Sequence, residues 1–173
     1  MVRTFGILSV LFCLAVSIHA ADALPDSLFL KESPTTAANV GETKKSAKEG
    51  EEVTLRGQIG GQVKDVFNSS RATFMLADMN LKSCDKIPGD NCKTPWDFCC
   101  VPANEKAANI AFVQVVDAKG KLLKSTLKGA NGLDHLSVVV VKGKVAKMDG
   151  TNMIVNATGI YLEPPAKKEE AKK

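Results

Sequence analysis

The chain has 173 residues, enough for one domain. Its formal net charge is only +4, and no stretch is densely basic, which argues against a dedicated nucleic-acid binder. Charge is spread mildly: residues 21–52 are slightly acidic, and residues 53–163 and the tail are slightly basic.

The first twenty residues read as a secretory signal peptide. Arg3 gives a short positive start, residues 5–18 (FGILSVLFCLAVSI) carry no charge, and small residues follow at Ala20 and at Ala21-Asp22-Ala23. The apolar run falls short of the roughly 20 residues a membrane span needs. Cleavage is expected after Ala20 or Ala23. The mature protein is then exported, periplasmic or secreted, into an oxidising compartment. Cys13 leaves with the signal, and four cysteines remain.

Residues 21–50 are rich in Lys, Glu, Ser, Thr, Ala and Pro apart from Leu28-Phe29-Leu30, so they read as a disordered leader. The domain is expected over residues 51–163. Its strands follow in order. Residues 53–59 (VTLRGQI) alternate as a half-buried strand, and Gly60-Gly61 permit a bend or bulge. Residues 72–78 (ATFMLAD) place Phe74 and Leu76 on one face. Residues 110–116 (IAFVQVV) form a third strand, with a turn at residues 117–120. Residues 136–145 (LSVVVVKGKV) are apolar on both faces, with a bulge expected at Gly143. Asp149-Gly150 signals a hairpin into residues 153–162 (MIVNATGIYL). Residues 164–173 are a charged disordered tail, which Pro164 and Pro165 separate from the last strand.

Five strands with short turns predict a small all-β barrel, with a cysteine-rich insertion between strands 2 and 3. A short irregular or helical piece is expected over residues 124–136. The order resembles the OB-fold, a five-stranded Greek-key barrel, over residues 50–163. The strings TLRGQIGG, NLKSCD, TPWDFCC and VVVVKGKV resemble a group of small exported bacterial proteins typical of planctomycetes. That resemblance implies fold and compartment and transfers no catalytic residue.

Residues 84–100 (CDKIPGDNCKTPWDFCC) hold all four remaining cysteines and the single tryptophan. In an exported chain they are expected to form two disulfides. Bridging the adjacent Cys99 and Cys100 would strain the backbone. That leaves Cys84–Cys99 with Cys92–Cys100, or Cys84–Cys100 with Cys92–Cys99. Trp96 and Phe98 would cover the sulfurs or fold onto the barrel, and they are also the possible partner contact. A second reading gathers Cys84, Cys92, Cys99 and Cys100 around zinc or Cu(I), with His135 as a further ligand. Against it stand the absence of C-x2-4-C pairs and the divergence of adjacent side chains in extended chain. A third makes Cys99 or Cys100 a nucleophile with His135 as its base.

Other groups are weaker. Phe67, Phe74 and Phe112, with Lys64, Arg71, Lys82 and Lys142, could form a single-stranded nucleic-acid surface, although Phe74 and Phe112 also fit a core. Asp78, Asp85, Asp90 and Asp97 surround the loop without the spacing of a calcium motif. Asn68-Ser69-Ser70 and Asn156-Ala157-Thr158 match short glycosylation acceptors. The expectation is thus a non-enzymatic binding or structural module of the periplasm or envelope, without cofactor, its partner an envelope protein or polymer. The alternatives are a thiolate metal-binding protein and a single-stranded nucleic-acid-binding domain.

Overall fold

A computed structural model describes residues 21–61 and 65–165; the expected signal peptide, Lys64 and the tail from residue 166 lie outside them. The elements are β1 (Ala38–Asn39), α1 (Val40–Ser46), β2 (Glu52–Ile59), β3 (Thr73–Ala77), α2 (Ala103–Asn109), β4 (Ile110–Gln114), β5 (Val138–Asp149) and β6 (Asn152–Leu162). The protein is β-rich, with one mixed sheet and two short helices among the described residues. The expectation of an all-β chain missed both helices. No helix of the described residues is long and apolar enough to cross a membrane.

The alternating residues form strands where period-two patterning requires it. In β2, Val53, Leu55 and Gly57 face inward and pair across β5 with Gly143, Val141 and Val139. In β3, Phe74 and Leu76 are fully buried, as their alternation implies. β2 pairs antiparallel with both β3 and β5, and β3 pairs antiparallel with β4. β4 then runs parallel to β6, and β6 pairs antiparallel with β5, so the pairings form a closed circuit. The circuit encloses a core that includes Leu55, Ile59, Phe74, Val113, Val141 and Ile160.

β5 and β6 are the longest strands, joined at Gly150-Thr151, where Gly150 has φ 57°. This is the tight hairpin that Asp149-Gly150 signals. The bulge expected at Gly143 is present as a register shift between Lys142 and Gly143. A Cβ on Gly143 would lie 2.4 Å from the Asn156 carbonyl oxygen, so the two backbones meet there only because the side chain is missing.

Residues 21–50 depart from the disordered leader expected of them. Leu28 and Val40 are buried, and the Leu30 N–H donates to the Ile160 carbonyl at 2.9 Å. Phe29 bridges to Ile160, and β1 runs parallel to β2 with Ala38 opposite Leu55. Average composition hides these few apolar residues. Phe29, Leu30 and β1 pair with strand edges while Leu28 and Val40 are buried, so burial and hydrogen bonding together offset the ordering entropy.

Candidate metal centre

The insertion between β3 and β4 rests on the end of β2. Gly61 N–H donates to the Trp96 carbonyl at 3.1 Å. A Cβ on Gly60 would sit 2.9 Å from that same carbonyl oxygen and 3.0 Å from the Phe98 ring. Glycine at position 60 therefore lets the 96–98 backbone lie against the strand end. Two internal hydrogen bonds shape the insertion: Cys84 N–H to Asp97 C=O at 2.9 Å, and Asp85 N–H to Pro95 C=O at 3.1 Å. Ser83 is buried, and its hydroxyl donates to Gln58 Oε1 at 3.3 Å, while Lys86 Nζ donates to the same oxygen at 3.2 Å.

α2 was not foreseen. Its signal was the run of helix formers ANEKAAN after Pro102. Lys106 on this helix is buried, and its Nζ donates to the Phe98 carbonyl at 3.1 Å. That clamp fixes the chain immediately before Cys99. Phe98 itself is fully buried with Ala77 and Leu81, so it packs into the fold, one of the two roles read for it, and is not a partner contact. Trp96 is half-buried and stacks on His135.

These constraints converge on the sulfurs. Cys84 Sγ lies 3.3 Å from Cys99 Sγ, and Cys99 Sγ lies 3.6 Å from Cys100 Sγ. Cys92 Sγ sits 3.4 Å from Thr94 Oγ1 and 3.6 Å from the Thr94 carbonyl oxygen. No two sulfurs are at bonding distance among the described residues, so neither expected disulfide pairing is formed. Cys92 is held on Thr94, away from a bridging partner, and Cys99 turns to Cys84 but stops short of bonding distance. Cys99 and Cys100 occupy a turn and not extended chain, and their side chains meet instead of diverging.

One ligand atom each from Cys84, Asp90, Cys92 and Cys99 lie within 4.8 Å of one another. The expected metal set differs from this grouping at three residues: Asp90 takes part, and Cys100 and His135 do not. Asp90 Oδ1 accepts the Cys92 N–H at 3.1 Å. Its Oδ2 is buried and has no hydrogen-bond partner among the described residues. The sequence did hold a signal for Asp90, in the Asp-x-Cys spacing of Asp90-Asn91-Cys92, since an Asp two residues before a donor N–H can cap it.

The thiols differ electrostatically. Burial pushes the Cys84 thiol up to about 12, with its contact to Cys99 adding to the rise. Its side-chain contact with Asp90 raises it further. Hydrogen bonds from Thr94 pull Cys92 down. The Cys84 hydrogen bond pulls Cys99 down, but contact with Cys100 and partial burial outweigh it and leave Cys99 raised.

The remaining candidates separate. His135 Nε2 lies 3.3 Å from Asp65 Oδ1 and its Nδ1 lies 3.2 Å from Asp134 Oδ1; neither nitrogen hydrogen-bonds a cysteine among the described residues, which removes the expected base. Asp78 caps Gly41 and Asn80, Asp85 accepts from Ser83, and Asp97 accepts its neighbour's N–H, so these acids do not converge with Asp90. Phe67 and Phe74 are buried and cannot stack on bases. Phe112, also a core candidate, is instead exposed beside a groove of about 490 Å³ lined by Met75, Ile110 and Met153. Asn156 accepts from Gln114 Nε2 within the sheet, while Asn68 stands exposed. Compared with known proteins, the chain matches no family model, no curated protein and no solved structure.

Proposed function

We propose that this is an exported, non-enzymatic binding module in which an OB-like five-stranded β-barrel mounts a thiolate metal site. The OB-like reading is supported by the circuit β2-β3-β4-β6-β5 closing on β2, with its parallel β4–β6 pair. Export and an envelope location follow from the apolar N-terminal run and the resemblance to small exported planctomycete proteins.

The observation that carries the metal reading is the convergence of Cys84, Asp90, Cys92 and Cys99 within 4.8 Å. Three thiols and a carboxylate gathered from sixteen residues of one loop offer a ligand set for a thiophilic ion. The barrel supplies rigidity through Gln58 and the close packing at Gly60. Native mass spectrometry of reduced, anaerobically prepared protein with added Zn²⁺ or Cu(I) tests this. One bound ion, lost when Cys84 and Cys99 are both replaced by serine, is expected. Failure of every metal to bind above the level of that variant overturns it.

A second reading has one observation in its favour. The 3.3 Å approach of Cys84 and Cys99 sulfurs suits a single disulfide once two electrons and two protons leave to an external oxidant. Reduced and oxidised intact masses that differ by two hydrogens, with Cys92 and Cys100 still alkylatable, would identify it.

A further inference from the structure

We propose that Asp90 is the fourth ligand of a closed Cys₃Asp centre for a zinc-class divalent ion, and that Cys100 stays outside it as a free thiol. This rests on the metal reading above and names the ion class and the ligand set.

Asp90 carries the inference. A carboxylate oxygen buried without a donor is costly, because water no longer solvates it and nothing replaces that solvation. The other oxygen is engaged by the Cys92 N–H, which holds the carboxylate in place and leaves Oδ2 as the orphan. One oxygen of the same carboxylate belongs to a convergence with three sulfurs. A cation coordinated by all four satisfies it.

The distances suit a tetrahedral ion. With metal–sulfur bonds of about 2.3 Å, tetrahedral sulfurs are about 3.8 Å apart. Cys84 and Cys99 lie 3.3 Å apart, and no ligand atom in the set is more than 4.8 Å from another. Shifts of the order of an ångström would form the centre. On binding, the three thiol protons pass to solvent, three thiolate–metal bonds and one carboxylate–metal bond form, and no electron moves.

Ligand hardness selects the ion. Three thiolates alone would suit Cu(I) as well as zinc, but a carboxylate favours the borderline divalent ion over the soft monovalent one. Cys100 is the alternative fourth ligand. It is exposed, touches only Cys99 among the sulfurs, and lies outside the convergent set. The occupied site therefore leaves one reactive thiol on the surface beside it.

The test is thiol counting on reduced full-length mature protein under anaerobic, native conditions, with Zn²⁺ as the probe and Cu(I) as comparison. Expected without metal is rapid alkylation of Cys92, Cys99 and Cys100, with the buried Cys84 slow, and with Zn²⁺ rapid alkylation of Cys100 alone. Asp90→Asn keeps the Oδ1 acceptor for Cys92 and removes only the anionic Oδ2; it should weaken Zn²⁺ binding at least tenfold. Cys100→Ser should leave Zn²⁺ affinity within twofold and reduce the count with metal to zero. Co²⁺ in place of Zn²⁺ should give a tetrahedral visible spectrum that Asp90→Asn shifts and Cys100→Ser does not. Circular dichroism establishes that both variants fold. No protection of Cys92 and Cys99 gained on adding zinc to the unsubstituted protein, an unchanged affinity in Asp90→Asn, or preference for Cu(I) over Zn²⁺ overturns the inference. In the last two cases the broader metal reading stands. If no metal protects any thiol, both fall together.

Discussion

The indole of Trp96 lies flat on the imidazole of His135, with ring centroids 3.8 Å apart and planes 17° apart. One ring belongs to the cysteine insertion and the other to the connection before β5. His135 is also flanked by Asp65 and Asp134, and Phe67 meets its edge at 5.5 Å. The stack ties the insertion to the sheet at a second point, beside the Gln58 hydrogen bonds to Ser83 and Leu136. A double-mutant cycle of Trp96→Leu and His135→Leu should show a coupling of about 1 kcal/mol. Urea unfolding measures it; additive effects would mean that the rings are neighbours without mutual stabilisation.

Gly60 offers a sharper probe of the same junction. An added methyl at Gly60 would press on the Trp96 carbonyl and the Phe98 ring, both held in place. Gly60→Ala should destabilise by about 1–3 kcal/mol through overpacking. Trp96 is the only tryptophan, so its fluorescence reports this one place. The emission should move to longer wavelength as the indole loses cover. An unchanged spectrum with wild-type stability would show that the insertion yields freely.

Phe98 separates a core role from a surface role. It is fully buried against Ala77 and Leu81, and Lys106 holds its carbonyl. Phe98→Ala should cost about 3–4 kcal/mol, in the range for large aromatic cavities. Thermal unfolding checks it, and a loss under 1 kcal/mol would restore Phe98 as a surface group.

Much of the sheet is legible in the residues themselves. Strand positions followed from alternation, because one buried face imposes a period of two on residues such as Val53, Leu55 and Phe74. The bulge at Gly143 and the turn at Gly150 were legible because glycine marks geometry that other residues resist. Phe112 misled because alternation gives a face without saying which face is covered. The centre was half legible. Cys84, Cys92 and Cys99 stood out by chemistry, but which of Cys100, His135 and Asp90 joins them depends on a turn at residues 99–100 and a cap at Cys92. Such contacts arise from tertiary packing, and no periodicity announces them.

The leader shows the same limit at a smaller scale. Leu28 is buried although the segment around Leu28-Phe29-Leu30 is polar in sequence. Leu28→Ala should lower stability by about 2–3 kcal/mol. If chemical denaturation instead gives wild-type stability, residues 21–37 do not belong to the cooperative fold.

Arg56 and Glu163 close the molecule electrostatically, with Nε–Oε1 and Nη2–Oε2 both at 2.7 Å. Hydrogen bonding from Arg56 holds the Glu163 carboxyl below its usual range, against a smaller opposing effect of burial. The pair joins β2 to the end of β6. Because the Arg56 side chain is 42% exposed, water screens the pair, and its contribution should be about 1 kcal/mol. The sign follows from the lowered pKa. The folded state keeps the carboxylate ionised where the unfolded chain begins to bind a proton. Stabilisation is then complete above the ordinary glutamate pKa of about 4.3 and is lost as pH falls through the lower folded value. Arg56→Met should be less stable than wild type by a constant amount between about pH 6 and 8, with the gap closing below about pH 4. High salt should narrow the gap at neutral pH. Urea unfolding of both proteins across that range measures it. A gap that persists undiminished at low pH would assign the loss to packing of the arginine stem and not to the ion pair.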